Sequence, residues 1–291
     1  MRRSVMAFAS SLALPVLAAM AGCSDADGAL EGDADAGVPE GDAALGPHAP
    51  RVDAGALRDG ALALACPDLT ARVTTDGGSV CVDLYEGALV MRLADGGEAP
   101  WPYYEPVDGH DGGALRAVPA RGIPPQGYIS AVQAAAACEA SGKRLCTYDE
   151  WVSACRGLPD QDRTYPYGDI YEPGACNEGK ESPIVRLFGP TPTYSNAELN
   201  DPRCDQLDGG LARGGAHPRC VSAYGAFDMH GNLHEWVDDT PVRADPSRGS
   251  FLGGYFVDAR INGAGCGYRT TAHARTYHDY STGFRCCSDP G

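Results

Sequence analysis

Cysteine, histidine and the carboxylates beside them are where this sequence could do chemistry. It contains twelve cysteines and seven histidines. Cys66 and Cys81 flank a short pair of strands, a spacing that suits a local disulfide. Cys204 and Cys220 bound a Gly-rich loop that a bond between them would close. His230 and His234 stand four apart with Glu235 adjacent, which invites a metalloprotease or non-haem iron reading. Gly231-Asn232 interrupts the helix that such a site needs, and His-Glu-x-x-His is absent. Hydrogen-bonded or surface histidines are the better account. His273, Arg275, Tyr277, His278 and Tyr280 crowd the loop 270–282, a polar and aromatic collection suited to ligand contact. Such residues also gather in loops by default. Neither Gly-x-Ser-x-Gly nor a zinc signature appears, so a hydrolase has no support.

The elements that must position these residues are few. Ser130 caps a helix from Ala131 to Ala140, with Gln133 completing a capping box and Ser141-Gly142 closing it. Thr147 caps a second helix from Tyr148 to Arg156, with Glu150 in the same relation and Gly157 at its end. Strands are expected at 71–74 and 80–85, around the turn Asp76-Gly77-Gly78. The rest reads as short strands and turned loops without an internal repeat. Composition and periodicity alone indicate an irregular, disulfide-braced, extracellular domain.

Three motifs say more. Gly142-Lys143-Arg144-Leu145-Cys146-Thr147-Tyr148-Asp149-Glu150-Trp151, Tyr224-Gly225-Ala226-Phe227-Asp228-Met229-His230-Gly231-Asn232-Leu233-His234-Glu235-Trp236 and Gly283-Phe284-Arg285-Cys286 stand in this order. In order and spacing they resemble the formylglycine-generating enzyme, or sulfatase-modifying factor, family. Val82-Asp83-Leu84-Tyr85-Glu86 resembles the opening strand of that family. The resemblance implies an α+β, loop-rich fold related to C-type lectin domains, spanning 66–291. It also implies oxidation of a sulfatase cysteine by a copper ion that two cysteines of the enzyme hold.

The family pattern suggests how the cysteines pair. It implies a bond between Cys138, at the end of the first helix, and Cys286. The family's partner for Cys155 follows a Tyr-Arg, where this chain has Thr270, so Cys266 is the nearest candidate. Cys146 stands where Pro is usual and Cys287 follows Cys286, so these two can form an additional bridge alongside. With Cys66–Cys81 and Cys204–Cys220, this scheme leaves Cys176 over.

The copper site is where the resemblance breaks. In active members a Gly-Gly-Ser-Tyr strand leads to two cysteines five residues apart, and two thiolates suit soft Cu(I). Here Leu252-Gly253-Gly254-Tyr255-Phe256-Val257-Asp258 fills the strand, so Tyr255 replaces the serine and Asp258, a hard donor, replaces the first thiolate. Cys266 is the remaining cysteine before Tyr268-Arg269. The family also implies a structural Ca²⁺ held by the Asn232 and Glu235 side chains and the Leu233 carbonyl, with Asn177 contributing to a second site. The alternative is that these side chains only hydrogen-bond the turn. Two functions follow. One is a binding module whose groove, built from Tyr255, Asp258, Arg260, His273 and Tyr277, takes a peptide, a glycan or an envelope protein. The other is a copper oxidase with a rearranged site, Cys266 plus a sulfur from elsewhere such as Cys176.

The N-terminal sequence sets the location. Arg2 and Arg3, the apolar run from Val5 to Ala19 and Met20-Ala21-Gly22-Cys23 read as a bacterial lipoprotein leader over 1–22, with Cys23 as the lipidated residue. Plain secretion is the alternative. Residues 23–65 are a tether rich in Ala, Gly and Asp. Its nine acids against two arginines offer little apolar surface to offset the entropy of ordering. The expected location is the bacterial cell envelope, with membrane contact through the lipid alone. The formal charge of −16, with no basic cluster, argues against nucleic acid as a partner.

Overall fold

The computed structural model describes residues 65–109, 114–239, 245 and 247–291. The leader, Cys23 and all but the last residue of the tether lie outside the described residues. Both predicted helices form. In α1 (Ala131–Glu139), Ser130 Oγ accepts from the Gln133 N–H at 3.3 Å while Gln133 Oε1 accepts from the Ser130 N–H at 2.9 Å. In α2 (Tyr148–Arg156), Thr147 and Glu150 make the same reciprocal pair, at 3.3 and 2.8 Å. Two otherwise orphaned N–H groups are satisfied at each start. α2 stops at Gly157, whose φ of 95° disfavours a side chain. Two shorter helices follow, α3 (Pro183–Phe188) and α4 (Asn196–Leu199).

Among the described residues, eleven short strands make three sheets. The hairpin β1 (Thr70–Thr75) and β2 (Gly78–Asp83) continues through β11 (Cys286–Ser288) to β6 (Arg144–Leu145). A second sheet orders β10 (Thr282–Phe284), β7 (His234–Val237), β8 (Ser250–Leu252) and β9 (Arg269–Thr270). In it β10 runs parallel to β7, pairing Thr282 with His234 and Phe284 with Trp236. The third places β3 (Gly87–Arg92) between β4 (Glu98–Pro100) and β5 (Leu115–Pro119). The architecture is α+β and rich in loops. β7 is buried at every position, and the indole N–H of Trp236 donates to the Ile129 carbonyl at 2.9 Å. This bond ties the second sheet to the residue just before the α1 cap.

Five disulfides among the described residues brace these pieces: Cys66–Cys81, Cys138–Cys286, Cys146–Cys287, Cys155–Cys266 and Cys176–Cys220. β11 is thereby fastened to α1 by Cys286 and to the residue after β6 by Cys287. Bridges closing loops of this length stabilise by about 3–5 kcal/mol each in the chain-entropy model. The expected Cys204–Cys220 bond is not made, and the residue left over is Cys204 rather than Cys176. Cys204 packs instead with Tyr128, Ile184, Phe256 and Tyr280. The Asn232 N–H donates to the Asn177 carbonyl at 2.9 Å and the Asp228 N–H to the Cys220 carbonyl at 3.1 Å, so the segment 228–232 holds Cys176 and Cys220 side by side. A contact between distant segments, not the shorter span, selects the partner.

Candidate functional site

The turn before β7 carries the longest motif, and the side-chain polar atoms of its Asn232 and Glu235 are engaged. Gly231 has φ 80°, and a Cβ there would fall 2.2 Å from the Asn177 carbonyl oxygen, so the two segments meet only because the side chain is missing. Asn232 follows at φ 59°. Its Oδ1 accepts from Asn177 Nδ2 at 2.8 Å and from the Ala212 N–H at 3.0 Å, and its Nδ2 donates to Glu86 Oε2 at 2.5 Å. Glu86 also receives the Leu233 N–H at 3.0 Å. The two oxygens of Glu235 accept from Arg285 at 2.5 and 2.6 Å, and Oε2 accepts from Trp151 Nε1 at 2.7 Å. Arg285 has no exposure and spends its other contacts on the carbonyls of Asp83 and Phe227, at 2.9 and 2.8 Å.

These residues do not fit a calcium ion. Both lone pairs of Asn232 Oδ1 and both oxygens of Glu235 point at N–H donors of the protein, and the nearest charge to Glu235 is already a guanidinium. Among the described residues, no cluster of three or more His, Cys, Asp or Glu could hold a metal. The turn is a hydrogen-bonded brace. Glu86 is the member that sequence reasoning missed; its place as the last residue of the opening strand motif was the available signal.

The copper reading meets the same obstacle in sulfur. Cys266 is bonded to Cys155 with an S–S distance of 2.01 Å, and Cys176 is bonded to Cys220. Asp258, where the family places a thiolate, accepts the N–H groups of Arg260 and Ile261 at 3.1 and 3.2 Å and so closes its own turn. The free thiol of Cys204 is buried, and burial followed by the charges of Asp205 and Asp201 pushes its pKa up to about 12. A thiolate is therefore disfavoured there.

Aromatic rings pack around His234, which is itself only 6% exposed. Its ring lies 4.3 Å from Phe251, 4.8 Å from Tyr255 and 5.5 Å from Tyr268. Phe251 stacks on His273 at 5.6 Å, and His273 stacks on Tyr277 at 4.0 Å. Hydrogen bonds assign the tautomer of His234. The Ser281 hydroxyl donates to Asp279 Oδ1 at 2.7 Å, so it accepts from His234 Nδ1 at 3.1 Å. Nε2 then accepts from the Tyr268 hydroxyl at 3.1 Å, which in turn accepts from Asn262 at 3.2 Å. Burial pushes the His234 pKa down to about 3, so the ring stays neutral. Burial raises Tyr255 to about 12 and Tyr277 higher still, so the phenols also stay protonated.

Of the predicted groove residues, Tyr255, His273 and Tyr277 are joined through this chain of rings. Asp258 lies near enough to raise the pKa of Tyr255 and Tyr268. Arg260 turns elsewhere, over the ring of Tyr171 at 4.6 Å. A cavity of about 790 Å³ between the β1–β2 hairpin and α2 shares no lining residue with the groove.

The fold and this site define a class. Residues 72–290 match the sulfatase-modifying factor enzyme 1-like domain, and the chain belongs to that family. It is similar to a Mus musculus protein named inactive C-alpha-formylglycine-generating enzyme 2, at 30% identity over 170 residues, 56% of this chain and 49% of that one. It is also similar to the formylglycine-generating enzyme of Thermomonospora curvata, at 30% identity over 189 residues, covering 56% of this chain and 55% of the relative. The chain thus spans about half the length of the curated relatives it matches. Among solved structures, Treponema denticola variable protein 1 aligns with a TM-score of 0.44 at 13% identity, covering 76% of this chain and 92% of its own.

Proposed function

We propose that this chain is an exported, lipid-anchored binding module built on the sulfatase-modifying factor scaffold and without its oxidase chemistry. The Cys155–Cys266 bond carries this reading, because it consumes the one sulfur that the copper position retained. The carboxylate at the other ligand position is a hard donor, and Cu(I) selects sulfur. The groove around Tyr255, Asp258, His273 and Tyr277 takes a peptide, a glycan or an envelope protein through ring faces and neutral hydrogen-bond donors. A relative of the same family bearing the name inactive is in keeping with such a loss.

The test is a thiol count with a copper titration. The purified full chain should show one titratable thiol among residues 65–291 under denaturing, non-reducing conditions, and that thiol should be Cys204 by peptide mapping. Loaded with Cu(I), the protein should leave the cysteine of a Cys-x-Pro-x-Arg peptide unchanged. Aldehyde formation on that peptide, with two thiols protected by copper, would overturn the reading.

A further inference from the structure

Next to the groove, one buried charge is only loosely answered. The Gly231–Asn177 contact presses Glu178 against His230, leaving their side chains 3% and 0% exposed. Glu178 Oε2 lies 3.4 Å from His230 Nε2 and 3.5 Å from Arg260 Nε. These contacts are long: Oε2 has no hydrogen-bond partner, and neither ring nitrogen of His230 has one. A buried carboxylate oxygen in that state is under-satisfied. The group is nonetheless an anion. Burial raises its pKa, but His230, the Tyr171 hydroxyl and Arg260 together hold it below the usual carboxylate range.

Aromatic rings wall the same spot. Tyr171 lies beneath the Arg260 guanidinium, Tyr165 meets Tyr171 at 5.8 Å, and Tyr165 meets His230 edge-on at 5.3 Å. A carboxylate at the base with ring faces around it is the chemistry that recognises an organic cation. Arg260 covers the mouth from outside, with its side chain 53% exposed. Its neighbour Ile261 and the residue before Tyr171, Ile170, are each 79% exposed, which puts two bare aliphatic side chains beside the mouth.

We propose that Glu178 and Tyr171 form a recognition site for an arginine or lysine side chain of a partner polypeptide, and that Arg260 is the chain's own stand-in, displaced when the partner binds. This rests on the binding-module reading and gives it a partner chemistry. The incoming side chain makes the close hydrogen bonds to Oε2 that Arg260 does not, and the aliphatic rim receives its flanking residues. The formal charge of −16 draws basic segments toward the molecule.

The experiment is calorimetry on the full chain with two probes, N-acetyl-arginine amide and its neutral isostere N-acetyl-citrulline amide. Arg260→Ala opens the mouth and should bind the arginine probe at least about tenfold more tightly than the unmodified chain. The citrulline probe should bind neither protein. Adding Glu178→Gln to Arg260→Ala should cancel the gain. Tyr171→Leu on the same background, at a half-buried position, should weaken binding by about threefold. Equal affinity of Arg260→Ala and the unmodified chain, or equal binding of the two probes, overturns the proposal. Either failure leaves the thiol count and peptide assay untouched, so loss of this site and loss of the non-catalytic reading are separately visible.

Discussion

At the scale of single residues, the interior holds more carboxylates than cations. Glu86, Asp228 and Glu235 are at most 2% exposed, with Arg285 among them. Glu86 is raised well above the usual carboxylate range by burial and by the charges of Asp228 and Glu235. Asp228 is raised to about 6, by burial first and by Glu235, against the lowering effect of the Gly215 N–H and Arg285. A group whose folded pKa exceeds its unfolded value contributes stability below the unfolded value and loses it as pH rises through the folded one. Protonated Asp228 therefore contributes stability that is lost as pH rises from its unfolded value of 3.8 to about 6, and that stays lost above it. Asp228→Asn removes the titration, keeps an acceptor for Gly215 and suits the φ of 59°. In urea melts at pH 4 and pH 7, the variant should gain on the order of 1–3 kcal/mol relative to the unmodified chain across that interval. A difference that does not change with pH would show that Asp228 does not titrate there.

At the scale of elements, the Cys155–Cys266 bridge does two things. It pins the end of α2 to the segment before β9, and it retires the sulfur that the family would give to copper. The link spans 111 residues, so its removal frees a long loop in the unfolded chain. Cys155→Ala combined with Cys266→Ala should lower stability by about 2–5 kcal/mol, read from the urea midpoint under oxidising conditions. The fold should remain, because Cys138–Cys286 and Cys146–Cys287 still hold α1 and the residue after β6 to β11. An unchanged midpoint would mean that this bridge is not formed in solution.

At the scale of the whole molecule, the acidic leader-proximal segment and the braced domain divide the labour that we propose: anchor and reach in one, recognition in the other. A palmitate analogue fed to expressing cells should label the protein, and Cys23→Ala should abolish the label. An unlabelled parent chain would remove the lipid anchor and leave secretion as the route.

The sequence by itself determined the family, both capped helices and the β1–β2 hairpin. Each rests on neighbours in the chain: Ser130 with Gln133, Thr147 with Glu150, and Asp76-Gly77-Gly78 at the turn. It also placed Asp258 where the resemblance implies a first thiolate, a difference legible as residue type alone. The tertiary structure alone decided which cysteine stays free among the described residues, because backbone bonds from Asn232 to Asn177 and from Asp228 to Cys220 bring Cys176 to Cys220. It alone showed that Asn232 and Glu235 are occupied by Glu86, Asn177 and Arg285, partners from 50 to 146 positions away. Spacing along a chain reports donors and acceptors that sit one turn apart. Whether a buried oxygen is already satisfied depends on segments that meet only after collapse, and the Glu178 site is visible for that reason in three dimensions and in no local motif.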